Sequence, residues 1–297
     1  MVNAGQIPAW LFREYPFAPQ SFLTPRGARL SYLDEGPRTD EAVVMLHGNP
    51  TWSYYFRHLV RALAPERRCI APDHVGMGTS DKPPHYDYTL AARIDDVAAL
   101  VDSLRLARVH LVLHDWGGAI GCGVAARRLE TIGRLVIMNT AAFASRRLPR
   151  RIALCRLPVV GAWLVRGLNG FAWPATRMAM HRRTLSREES AGYLWPYDSW
   201  ANRVALHAFV RDIPRGESHP SWATLQEIER HLGHLARCDT QIVWGGSDFC
   251  FNDHFLDRWR TIVPRARVTR IADAGHYVLE DARDEAVPLI RDFLLRA

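Results

Sequence analysis

Val109-His110-Leu111-Val112-Leu113-His114-Asp115-Trp116-Gly117-Gly118 is the stretch that decides the fold. Val109 to Leu113 is apolar apart from His110, the pattern of a strand buried on both faces of a parallel sheet. It runs straight into His114-Asp115-Trp116-Gly117-Gly118, and a helix-compatible stretch follows. A tight strand-to-helix turn there lifts one side chain above the sheet and points the next helix's N-terminus at it. The apex is Asp115, and no G-x-S-x-G run occurs anywhere in the chain. Leu113 stands where that motif has its first glycine, so only its second half is present. Taken alone, an aspartate capping an ordinary helix reads the same way.

The flanking sequence repeats the pattern. Val43–His47, Arg68–Asp73, Val109–Asp115 and Arg134–Met138 read as strands, with helices at Leu90–Leu104 and Gly117–Leu129 between them. Strands alternating with helices predict a mostly parallel sheet flanked by helices. From Ala141 to about Ala236 the rhythm stops, leaving helical patterns and turns. It returns with Thr240–Gly245, a helix near His254–Thr261, Arg267–Ile271 and a last helix Ala282–Leu295. The expected organisation is a core of residues 1–143 and 235–297 interrupted by a helical cap at 144–234.

Three more segments make a mere capping role for Asp115 improbable. His47-Gly48-Asn49-Pro50 follows a strand, where its backbone N–H groups can form an oxyanion hole. Gly246-Ser247-Asp248 places a carboxylate at the end of a late strand. Ile271-Ala272-Asp273-Ala274-Gly275-His276 puts a histidine in the loop after the next one. Nucleophile, acid, histidine is the chain order of the α/β-hydrolase fold. A carboxylate nucleophile needs no base to ionise it, since an unperturbed Asp has a pKa of about 3.9. It attacks carbon to form an ester, and His276, oriented by Asp248, would turn water onto that ester. The Asn49 amide and the Trp116 indole are two neutral donors suited to a departing anion.

His47-Gly48-Asn49-Pro50-Thr51, Asp73-His74-Val75-Gly76-Met77-Gly78 with Ser80-Asp81-Lys82-Pro83, and His114-Asp115-Trp116-Gly117-Gly118 resemble the haloalkane dehalogenases. The resemblance implies Asp115 as nucleophile, His276 as base, and Asn49 with Trp116 holding the leaving group. Some members carry the acid after the earlier strand. Here Met138-Asn139-Thr140 offers no carboxylate, which leaves Asp248. Tyr86–Leu90, Asn139–Phe143, Tyr197–Arg203 and Asp248–Phe255 are similar to the cis-β-lactone decarboxylases of bacterial long-chain olefin biosynthesis. That likeness implies attack of Asp115 on a strained lactone, giving an alkene and carbon dioxide, with haloalkane hydrolysis the alternative. Epoxide hydrolysis, with Tyr193 or Tyr197 as acid, and ligand binding on an inactive scaffold are lesser readings. Other enzymes of an olefin pathway are the implied partners.

Between Val160 and Trp200 the cap is rich in aromatics. Trp163, Phe171, Trp173, Trp195, Tyr197 and Trp200 are the candidate lining of an apolar pocket over Asp115. His231 and His234 lie one helical turn apart without a convincing third ligand, so no metal is expected. No other cofactor is implied.

Charge is placed unevenly. Lys and Arg number 38 against 31 Asp and Glu, for a net charge of +7, and Lys82 is the only lysine. Thr131–Arg187 holds eleven arginines and no acid, while the rest of the chain is mildly acidic. A basic lid on a nearly neutral body excludes a uniform nucleic-acid coat. It invites docking to an acidic partner or an anionic membrane surface, and Leu157–Trp173 is apolar enough to touch lipid. Five scattered cysteines, no leader pattern in Met1–Phe17 and no long apolar run lead us to expect a cytoplasmic enzyme.

Overall fold

Eight strands form one sheet in the computed structural model, which describes residues 7–296. In chain order they are β1 (Gln20–Leu23), β2 (Arg29–Glu35), β3 (Glu41–Leu46), β4 (Arg68–Pro72), β5 (Arg108–Asp115), β6 (Ile132–Thr140), β7 (Thr240–Gly245) and β8 (Arg267–Ile271). Their spatial order is β1-β2-β4-β3-β5-β6-β7-β8. β1 and β2, and β2 and β4, pair antiparallel. Every neighbour from β4 to β8 pairs parallel. Helices cover both faces, so Ala42–Leu46 and Val109–Asp115 are buried throughout. Such strands must be apolar on both sides, which is why they stand out in the sequence.

Before β3 lie a short helix, α1 (Ala9–Phe12), and the two antiparallel strands, which the sequence reading had not assigned. β1 is an edge strand of four largely exposed residues, and β2 is flanked by turns. Neither carries the continuous apolar run of the central strands. The leader reading covered Met1–Gln6 as well, and these lie outside the described residues.

Around the sheet run α2 (Arg57–Leu63), α3 (Leu90–Ser103) and α4 (Trp116–Arg127). Between β6 and β7 come α5 (Arg150–Cys155), α6 (Pro158–Ala162), a π-helical turn at Trp163–Gly167, α7 (Ala172–Met178), α8 (Arg187–Leu194), α9 (Val204–Arg211) and α10 (Trp222–His231). The last of these packs on α3 and α4, in the layer flanking the sheet. After β7 follow α11 (Asp253–Ile262), α12 (Val278–Asp281) and α13 (Arg283–Leu295). No described helix is long and apolar enough to cross a membrane.

The join between β5 and α4 is unusually close. A Cβ on Gly117 would stand 1.9 Å from the Leu46 carbonyl oxygen, and one on Gly118 would stand 1.8 Å from Thr140 Oγ1. Only glycine lets the helix start this near β3 and β6, and that closeness fixes the height of Asp115 above the sheet.

Candidate active site

Asp115 is the last residue of β5 and sits at φ 52°, ψ −126°. This left-handed conformation is costly for a residue with a side chain. It is held there by the neighbouring chain, since the Thr140 hydroxyl donates to the Asp115 carbonyl. The side chain turns toward the loop after β3, where the Asn49 backbone N–H donates to Asp115 Oδ1 at 2.7 Å. The Trp116 backbone N–H also bonds the carboxylate. These two amides converge on the carboxylate where the His47–Pro50 reading expects an oxyanion hole. Gly48 is required beside it, because a Cβ there would fall 1.9 Å from Asp115 Oδ1.

His276 faces the other carboxylate oxygen, Nε2 to Oδ2 at 3.7 Å. Its Nδ1 bonds Asp248 Oδ2 at 2.7 Å. The three residues expected as nucleophile, histidine and acid are therefore brought together from the end of β5 and from beyond the ends of β8 and β7. Burial pushes the Asp115 carboxyl upward, against the opposing pull of His276 and the two backbone amides. Burial also disfavours the His276 imidazolium, but Asp248, its hydrogen bond and Asp115 outweigh that, and the pKa of His276 is raised. Both groups therefore hold a proton more tightly than they would in water.

Asn49 and Trp116 both line the cavity above Asp115. The Asn49 side chain spends one N–H on the Leu206 carbonyl at 3.0 Å, while its Oδ1 has no partner among the described residues. Trp116 packs edge-on to Phe209, with the Arg93 guanidinium 5.2 Å from its ring.

Several supporting residues escaped the sequence reading. Asn139, at φ 33° in the penultimate position of β6, donates to Asp248 Oδ2 at 3.0 Å and accepts from the Gly245 N–H at 2.7 Å. The position that lacks an acid thus positions the acid supplied by the next strand. The Cys250 N–H donates to Asp248 Oδ1 at 2.6 Å. His114 donates to the His276 carbonyl at 2.9 Å, and burial lowers its pKa well below the usual imidazole value, keeping it neutral. An asparagine or a histidine inside an apolar strand gives no sign of such duties. Only the third dimension shows them.

The cavity has a volume of about 450 Å³. Of the six cap aromatics expected to line it, only Phe171 does. Trp163, Trp173 and Trp200 are exposed on the outer face. Trp195 packs on Trp52, and the buried Tyr197 donates to the Thr51 carbonyl. Tyr193 is spent on Glu280 at 2.6 Å. The lining comes instead from smaller apolar cap residues and from Phe143, Phe249, Phe251 and Phe255 on the core side, with Phe251 stacked on His276. Short helices with aromatics on several sides offered no periodicity to tell inward from outward. With Tyr193 and Tyr197 turned away, epoxide opening loses its proposed acid.

His231 bonds the Glu227 backbone on the surface, next to the His234 ring. His58, Glu189 and Glu280 lie near enough to share a cation. Arg57 and Arg183 already supply positive charge to these carboxylates. Burial and the neighbouring arginines push His58 down to about 3.

Comparison with known proteins agrees with this geometry. Residues 41–164 match the family described as α/β hydrolase fold. The chain is 46% identical to a cis-3-alkyl-4-alkyloxetan-2-one decarboxylase of Shewanella oneidensis, across 92% of this chain and 87% of that protein. It is 33% identical to a haloalkane dehalogenase of Mycolicibacterium paratuberculosis, across 88% and 85%. Among solved structures, the haloalkane dehalogenase DbeA of Bradyrhizobium elkanii superposes with a TM-score of 0.83 at 27% identity, covering 94% of this chain and 97% of the other. The chain belongs to the α/β-hydrolase fold family, in the group that contains the cis-3-alkyl-4-alkyloxetan-2-one decarboxylases and the haloalkane dehalogenases.

Proposed function

We propose that this enzyme converts a cis-3,4-dialkyl β-lactone into a cis-alkene and carbon dioxide. The observation that carries the reading is Asp115, with its oxyanion hole and His276, at the foot of an apolar cavity in a chain nearer to the named decarboxylase than to the dehalogenase. Residues 144–234 form the insertion, and α5 to α9 within it serve as the lid.

In this mechanism Asp115 Oδ2 attacks ring carbon C4 from the face opposite the ring oxygen. The C4–O bond breaks, and its electron pair stays on oxygen as a carboxylate, which the Asn49 amide and the Trp116 indole receive. The C3–carboxylate bond then breaks. Its pair becomes the new C=C bond, carbon dioxide departs, and the ester bond to Asp115 returns its pair to the carboxylate. Inversion at C4 followed by anti elimination keeps both alkyl groups on one side, so a cis lactone gives a cis alkene. No water is consumed. Protonated His276, oriented by Asp248, stabilises the Asp115 carboxylate as it leaves.

Haloalkane hydrolysis would use the same nucleophile and the same donors. Its difference lies in water, which His276 must then deliver to the ester carbon. The test supplies a dialkyl cis-β-lactone and, separately, a 1-bromoalkane in ¹⁸O-water. Alkene from the lactone, with no ¹⁸O entering Asp115, is expected. Bromide release with ¹⁸O in Asp115, and no alkene from the lactone, would transfer the chain to the dehalogenase reading. Enzymes that make the lactone are the proposed pathway partners.

A further inference from the structure

The cap aromatics that miss the cavity lie on an outer face with a composition of its own. Leu154, Leu157, Val159, Val160, Trp163 and Leu168 are all exposed, Val159 at 75% and Leu168 at 66%. With Trp173 they make seven of the thirteen large exposed hydrophobic residues described, all within twenty residues of chain. They cluster along the chain, and Trp200 joins Trp163 in space. A Cβ on Gly167 would touch both Trp163 and Trp200, and α6 runs directly into the π turn. Arg177 lies over the Trp173 ring at 4.4 Å and Arg166 over Trp200 at 4.5 Å. Scattered exposed apolar residues are ordinary, but a clustered face is not.

Along the chain, the stretch that carries this face, Thr131–Arg187, contains no acid. Arg182 and Arg183 of the acid-free stretch are paired with Asp273, Glu285, Glu189 and Glu280. Arg146, Arg147, Arg150 and Arg151, at the entry to α5, have no carboxylate within 4.0 Å among the described residues. The cavity opens beside them, since Arg147, Arg151 and Leu154 line it while remaining exposed.

We propose that this face of the lid docks on an anionic lipid surface. Tryptophans and short apolar side chains enter the headgroup boundary, and the arginines meet lipid phosphates. A second copy of this chain would bring the same unpaired arginines, with no acid from this stretch to face them. An apolar surface also suits a greasy substrate entering beside α5. That last link rests on the lactone reading, but the docking does not.

Sedimentation of the full chain with phosphatidylglycerol or phosphatidylcholine vesicles, without substrate, tests it. Retention on phosphatidylglycerol at low salt, release at high salt and weak retention on phosphatidylcholine are expected. Arg146→Gln with Arg150→Gln should weaken partition about tenfold or more. Val159→Glu should do likewise while leaving turnover of a soluble short-chain lactone unchanged. No retention at low salt, or retention indifferent to these variants, overturns the proposal. So does a Val159-dependent dimer in solution, or displacement by polyglutamate that Val159→Glu does not alter, which would mark an acidic protein partner. Lost lactone turnover with vesicle binding intact counts against the function alone and leaves docking supported.

Discussion

At the scale of single residues, the site depends on the charge states of Asp115 and His276. Asp115→Asn keeps the acceptor for the Asn49 amide and nearly the same side-chain volume. Turnover is expected to fall by about 10⁴-fold or more, as when other nucleophiles are removed. Stability should not fall with it. A buried carboxyl whose folded pKa is raised costs stability above that pKa, so removing its charge should hold or raise Tm at neutral pH. A mutant that keeps near-native activity would remove Asp115 from its role. The pH profile separates the two chemistries. Decarboxylation as proposed needs ionised Asp115 and protonated His276. Activity should therefore fall on acidification at a pH above the ordinary aspartate value, and fall again as pH rises through a His276 pKa above 6.5. Hydrolysis needs the neutral imidazole, and its rate would instead climb through that second pKa.

At the scale of elements, what the sequence revealed follows from burial. β7 and β8 occupy Thr240–Gly245 and Arg267–Ile271 as read from the chain, and β5 gains only Arg108. β5 and β7 are buried almost throughout, whereas β8 is the other edge strand and was legible from the turns around it. β1 escaped because an exposed edge strand needs no apolar run. Asn139 escaped because a positive φ leaves no trace in composition. The lid tryptophans were misplaced because aromatic content marks a surface that must be covered, not which side covers it. Glycines at the start of α4 were read as a turn, and their packing gives that reading mechanical content. Gly117→Ala would drive a methyl into the Leu46 carbonyl, a backbone atom that moves only if β3 does. Overpacking of this kind costs about 1–3 kcal/mol. A lower Tm together with a reduced kcat is expected, because Trp116 and Asn49 shift with the helix. Gly216→Ala, with open space around its Cβ, is the control and should change neither. Equal behaviour of the two variants would refute the close-packing account.

Across the whole molecule, one buried ion network ties α8 and the Arg183 segment before it to α2 and α12. Arg57 of α2 is fully buried and bonds both Glu280 oxygens, the second at 3.2 Å. Glu280, on α12, also accepts from Tyr193 of α8 at 2.6 Å and from Arg183 at 3.0 Å. Arg183 in turn holds Glu189 at 2.8 Å and 3.0 Å. Part of the lid's apparent excess charge is therefore balanced by acids from distant sequence, which a count along the chain cannot show. Such a network need not raise net stability, since desolvating the charges offsets their attraction, but losing one member leaves a buried charge alone. Glu280→Ala should cost about 3–5 kcal/mol. For a protein of this size that lowers Tm by roughly 10 °C or more. The double variant Arg57→Met with Glu280→Met should recover much of the loss, because no charge is then stranded. Activity should follow the same order, since the lid that roofs the cavity is tied down at this point. Thermal unfolding of Arg57→Met, Glu280→Met and the double decides the matter. Additive losses would mean that the network acts as separate contacts and does not bind lid to core as a unit.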